Sequence, residues 1–137
     1  MTSLCPSCWR VVPNNARRCT QCGADISALH HRDFRDKLLG ALSHPDRDTV
    51  IRAALALAVR HDPEASRAIE AAMARFPHEP HVLAGLLNAL MFVGNADAKR
   101  IAHEALGHRS FIVRRAAVQT LQHMAGHVES TCAPREP

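Results

Sequence analysis

"RAALALA", residues 52–58, returns with the same apolar spacing as "AGLLNAL" at 84–90 and "RAAVQTL" at 115–121. Ala53, Gly85 and Ala116 fall in register, as do Leu55, Leu87 and Val118, and upstream of them Val50, Val82 and Val113. A second apolar set, Leu38, Ile69 and Ile101, precedes those valines by 12, 13 and 12 positions. Self-similarity at a period near 32 marks a stacked repeat, in which each unit buries its apolar face only against its neighbours. Each unit holds two stretches of helical spacing, so the chain from residue 28 onward reads as three two-helix units.

Turn signals support that division. "SHPDRD", "FPHEP" and "LGHRS" separate the two helices within each unit, while His61-Asp62-Pro63 and Gly94-Asn95 mark the boundaries between successive units. The spacing predicts helices near 28–43, 47–60, 64–75, 79–92, 96–106 and 110–125, in units of about 28–61, 62–94 and 95–126. Ala53, Ala54, Gly85, Ala116 and Ala117 allow close helix approach, and the leucines and valines between them fill the layer. The stretch "HVLAGLLNALMFV" (81–93) is apolar nearly all round, as a middle unit covered on both sides requires.

The stretch "HRSFIVRRAAVQTL" (108–121), and after it "HPDRDTVIRAALALA" (44–58), resembles the HEAT-like repeats, with an Asp or Pro at the inter-helix turn and a V-R-x-A-A flavour in the second helix. "PHEPHVLAGLLNAL" (77–90) departs from that pattern by lacking the arginine. The resemblance implies a mainly α fold, a short α-solenoid over residues 27–126, and a protein-binding scaffold.

A different chemistry occupies the N-terminus. "CPSC" (5–8) and "CTQC" (19–22) place four of the five cysteines in two C-x-x-C pairs. Each pair can form a knuckle that sets two thiolates a tetrahedral edge apart, and two knuckles close a four-sulfur shell with no position left for water or substrate. That pattern reads as structural metal held by Cys5, Cys8, Cys19 and Cys22, with the cofactor Zn2+. "CPSCWRVVPNNARRCTQCGADI" (5–26) resembles the short bacterial zinc ribbons with rubredoxin-like knuckles, so residues 1–26 form the expected ribbon. Trp9 stands where many such ribbons have glycine, and reads either as an aromatic for stacking on a base or as a hydrophobic cover. The short link "GADIS" (23–27) predicts that Trp9 and Ile26 are buried against Leu29 or Phe34.

Charge is uneven. Residues 1–32 carry Arg10, Arg17, Arg18 and Arg32 against Asp25, whereas residues 33–137 hold 13 basic to 12 acidic side chains. A Zn(Cys)4 centre is itself doubly negative and offsets most of the ribbon's excess. The alternative to a scaffold is therefore a nucleic-acid-associated factor touching phosphates through Arg10, Arg17 and Arg18, against which stand the near-neutral repeats and a single tryptophan. No run of about 18 apolar residues occurs and no signal peptide is recognisable, so the expected setting is soluble and cytoplasmic, with no membrane partner.

In stacked hairpins the second helices line one face. The positions opposite their packed side are Arg52, Ala56, Val59 and Arg60, then Ala84, Asn88 and Met91, then Arg115, Gln119, Gln122 and His123. An apolar middle with arginine at both ends suits a partner helix or an acidic segment, unless Arg52 and Arg115 merely pair with loop carboxylates such as Asp46 or Asp48. The ten histidines sit mostly at turns, and His123 with His127 supplies too few ligands for a metal. His78-Glu79 and His103-Glu104 are similar in wording to the dipeptides by which deoxyhypusine hydroxylase holds iron, but one falls in a turn and one on a first helix, so they do not converge. No phosphate-binding glycine loop or nucleophile elbow is present, and the chain reads as a non-enzyme. The tail 127–137, with the lone Cys132, is expected to be flexible, and the apolar ends of so short a stack leave a homo-oligomer open.

Overall fold

The computed structural model describes residues 2–30 and 33–131, excluding the side chains of 29, 30 and 127–131. Strands β1 (Thr2–Leu4) and β2 (Val11–Pro13) form an antiparallel hairpin in which Leu4 faces Val11 and Thr2 faces Pro13. Helices follow as α1 (Ile26–His30), α2 (Phe34–Ala41), α3 (Arg47–Val59), α4 (Ala65–Ala74), α5 (Pro80–Val93), α6 (Ala96–Ala105) and α7 (Phe111–Thr131). None of the described helices is long and apolar enough to cross a membrane.

The repeat is visible in the packing. Helices α3, α5 and α7 lie side by side, α2, α4 and α6 pack against them in turn, and Val50, Val82 and Val113 are all buried in the shared layer. The middle helix α5 buries Val82, Leu83, Leu86, Leu87, Ala89 and Leu90, which is why its sequence is apolar nearly all round. Gly85 meets α3 closely: a Cβ there would stand 2.9 Å from Ile51 Cδ1.

Helix ends follow capping chemistry. Asp46 accepts from the Thr49 N–H at 2.9 Å to start α3, and Asn95 accepts from the Ala98 N–H at 2.8 Å to start α6. Pro80 opens α5, and Gly94 closes it at φ +66°. At the end of α3 the His61 N–H reaches the Ala58 carbonyl and the Asp62 N–H the Leu57 carbonyl, with His61 itself at φ +54°; this is a Schellman stop made with histidine.

The first expected helix, 28–43, is two elements here. Asp25 accepts from the Ala28 N–H at 3.2 Å and starts α1 at Ile26, while Asp33, extended at ψ 149°, precedes a new start at Phe34. The last helix runs to Thr131, beyond the expected 125, so the start of the expected tail at 127 lies inside it; Cys132 lies outside the described residues.

Unit-to-unit polar ties repeat at nearly the sequence period. Arg47 grips Glu79 through Nε–Oε2 at 2.5 Å and Nη2–Oε1 at 2.8 Å. Arg100 grips Glu70, Arg75 donates to the carbonyls of Leu42 and His44, and Arg109 meets His78. Asn95, while capping α6, also accepts from Ser66 Oγ at 2.9 Å.

Candidate functional site

The two cysteine knuckles are built alike. The Cys5 N–H donates to the Arg10 carbonyl and the Cys5 carbonyl accepts from the Trp9 N–H; in the second knuckle the Cys19 N–H donates to Ala24 and the Cys19 carbonyl accepts from Gly23. The fifth residue of each knuckle is left-handed, Trp9 at φ +62° and Gly23 at φ +74°. Trp9 thus occupies a glycine position, at a backbone cost of about 1–2 kcal/mol, and its place in the closed turn holds it there. The bridge between Arg18 and Asp25 and the Ile26 N–H bond to the Arg17 carbonyl close the second knuckle at its base.

All four sulfurs lie within 4.8 Å of one another. Cys5 Sγ stands 3.7 Å from Cys22 Sγ, and Cys8 Sγ 3.6 Å from Cys19 Sγ. A disulfide would need about 2.05 Å. A tetrahedral ion with metal–sulfur bonds of about 2.3 Å would need about 3.8 Å, and the observed spacing fits it. Together these residues can hold one metal ion in a closed shell. Their proton affinities are pulled apart: the N–H groups of Cys22 and Gln21 draw the Cys19 thiol down to about 6. At Cys8 the Arg10 N–H acts to lower the value, but desolvation and the other three sulfurs carry it up to about 11. A divalent cation at their centre would replace the shared protons and remove the repulsion between thiolates.

The ribbon's core is little more than this site. Cys5, Val12, Cys19 and Ile26 are its buried residues, a cluster separate from the repeat core. Ile26 is buried in that ribbon cluster, Phe34 is 54% exposed, and Leu29 lies outside the described side chains. Trp9 is half-buried, and its neighbour is His44 in the turn before α3, at 4.4 Å between ring centroids. Placement against His44 supports the cover role over the stacking role for Trp9.

The exposed side of the second-helix layer carries Arg52, Val59 and Arg60 on α3, Asn88 with the half-buried Ala84 and Met91 on α5, and Arg115, Gln119, Gln122 and His123 on α7. Asp46 Oδ2 accepts from both the N–H and the hydroxyl of Thr49, and among the described residues neither Arg52 nor Arg115 makes an ion pair. Arg10, Arg17 and Arg18 are exposed on the ribbon and likewise make none. In the two His-Glu dipeptides, Glu79 is bound by Arg47 and Glu104 by Arg100. His44 Nδ1 accepts from the Asp46 N–H at 2.9 Å and His108 Nδ1 from the Ser110 N–H at 3.0 Å, so both histidines brace turns.

Sequence reasoning misses the surface role of Phe34 and Leu55 and the buried partner of Arg35. Phe34 and Leu55 extend the apolar part of the α3 face, with Arg60 stacked 5.2 Å from the Phe34 ring centre. Arg35 holds the buried Asp62 through Nε–Oδ2 at 2.5 Å and Nη2–Oδ1 at 3.2 Å, which keeps that carboxyl below the ordinary carboxylate range. A signal was present: Asp62 stands in the His61-Asp62-Pro63 break, where an acid at a buried turn needs a cation.

A model of the family described as HEAT repeats matches residues 35–122. No curated protein and no solved structure matches the chain.

Proposed function

The chain belongs to the HEAT-repeat family, and from that premise we propose that it is a non-enzymatic adaptor whose second-helix layer binds a protein partner. A structural Zn2+ on Cys5, Cys8, Cys19 and Cys22 lets the ribbon fold beside it. The observation that carries the binding role is the division of the arginines. Arg35, Arg47 and Arg100 are each locked to carboxylates, whereas Arg52 and Arg115 stand exposed on one layer without an ion pair among the described residues. Zinc is favoured by the closed sulfur shell, which suits a redox-inert tetrahedral ion, and a reducing cytoplasmic setting keeps the thiols available.

A second reading rests on Arg10, Arg17 and Arg18, which project from the ribbon without carboxylate partners and suit phosphates. One experiment separates the two. The tagged, zinc-loaded protein is captured from its native lysate with and without nuclease, beside an Arg52→Glu/Arg115→Glu variant. The adaptor reading expects a protein that survives nuclease and is lost in the variant. Recovery that nuclease abolishes and the substitutions leave alone would transfer the function to the ribbon and nucleic acid.

A further inference from the structure

We infer that the patch formed by Phe34, Leu55 and Val59 is the docking site for an acidic, amphipathic helix of the partner protein; this rests on the adaptor reading and names the anchor within it. The three side chains are 54%, 41% and 57% exposed, and with Arg52, Ala56 and Arg60 they line an open depression of about 520 Å³. On α3 these positions are 52, 55, 56, 59 and 60, which is one helix face. Leu55 and Val59 form its apolar ridge, and Arg52 and Arg60 stand at the ridge's two ends.

Charge identifies the occupant. Arg60 lies over the Phe34 ring and Arg52 is exposed, and neither makes an ion pair among the described residues. The carboxylates that feel these two cations do so through space, without contact: Asp46 accepts from the Thr49 N–H and hydroxyl through Oδ2, and Asp62 accepts from Arg35 and the Glu64 N–H. The patch therefore offers two guanidinium groups without a direct ion pair among the described residues, flanking an apolar strip. Eight residues of α3 separate Arg52 from Arg60, about 12 Å along the axis. A partner helix matches that span with two carboxylates seven or eight residues apart and apolar residues between them on the same side. A nucleic acid would satisfy the arginines and leave Phe34, Leu55 and Val59 uncovered. A second copy paired about a twofold axis would set arginine against arginine.

The test selects peptides of about 16 residues, four helical turns, from a random phage library on the full zinc-loaded chain. The winners are synthesised with a fluorescent label and titrated by anisotropy. The expected sequences carry the acid, apolar, acid pattern. Their affinity should fall at least about tenfold in Val59→Asp and in Arg52→Glu/Arg60→Glu, hold in Arg67→Glu on the exposed side of α4, and weaken as salt rises from about 0.1 M to about 1 M. Val59 is exposed, so its substitution leaves the fold intact, which far-UV circular dichroism verifies. Winners without acids, or winners indifferent to the α3 variants but lost in Arg115→Glu, refute this site and leave the adaptor reading standing. Winners that no variant of the second-helix layer affects refute both. Self-association of the free chain that Val59→Asp abolishes would assign the patch to a second copy and so reject the proposal.

Discussion

The Trp9 indole and the His44 imidazole, 4.4 Å apart and tilted by 58°, join two cores that share no residue. One belongs to the ribbon and one to the repeats, and the knuckle that fixes Trp9 is closed by the metal-site cysteines. Because Trp9 is the chain's single tryptophan, its emission reports this contact alone. Chelation of the metal should open the knuckle, release Trp9 to water and shift its emission to longer wavelength. The helical signal in far-UV circular dichroism should change little, since the repeat core contains none of the four cysteines. An emission spectrum indifferent to chelator would mean that the ribbon holds its shape without metal.

Acid should weaken the boundary between the first two units. Arg35 hydrogen-bonds to Asp62 and holds its carboxyl below the ordinary range, outweighing the desolvation that works the other way. The folded value lies below the unfolded one of about 3.9, so the stabilisation is fully present at higher pH and drains away as pH falls through about 4. Glu70 with Arg100 and Glu79 with Arg47 titrate in the same sense. Asp62→Asn should lower stability by about 1–2 kcal/mol near neutral pH, because Arg35 is partly exposed and keeps some hydration. The gap between wild type and variant should narrow towards about pH 3 in urea titrations. A gap that stays constant with pH would show that the ion pair contributes nothing.

The features legible in the sequence are those with a local or periodic cause. Val50, Val82 and Val113 recur because each unit buries the same position, and the cysteine pairs recur because a knuckle needs that spacing. The start of α1 at Ile26 is hidden because Asp25 and Ile26 read equally well as linker, although Asp25 is a cap. The ties Arg47 to Glu79 and Arg100 to Glu70 join residues 32 and 30 positions apart, and no local pattern announces them. Phe34 misleads because an aromatic beside a linker looks like a residue buried against the ribbon, whereas it stands exposed beside α3 and Ile26 lies in the ribbon's own core.

Thr120 is fully buried in α7, and its hydroxyl lies 3.0 Å from the Leu87 carbonyl of α5 and 2.8 Å from the Ala116 carbonyl of its own helix. Thr120→Val keeps the shape and removes the donor, which should cost about 1 kcal/mol. Thr120→Ala adds a small void and should cost more. Equal unfolding midpoints for Thr120→Val and wild type would show that the hydroxyl adds no net stability and does not tie the last two units.

Gly85 and Ile51 set how close α3 and α5 can come. A Cβ at Gly85 would meet Ile51 Cδ1 at 2.9 Å, Cγ1 at 3.1 Å and Cγ2 at 3.2 Å, so it touches the whole branched side chain and cannot be cleared by moving its tip. Gly85→Ala gains about 1 kcal/mol of helix propensity and incurs overpacking of about 1–3 kcal/mol. The net expectation is a loss of up to about 2 kcal/mol, in contrast to Ala53 and Ala116, which occupy the equivalent positions of the other units and are both buried. Ile51→Ala in the same chain removes the atoms that clash. In that background Gly85→Ala should become stabilising by about 1 kcal/mol, its propensity gain alone. The four chains are compared by urea denaturation as a double-mutant cycle. A coupling energy near zero would mean that the helices simply separate to admit the methyl group. A positive coupling of about 1–3 kcal/mol would identify this contact as the one that fixes the spacing of α3 and α5, and with it the layer on which Arg52 and Asn88 stand exposed.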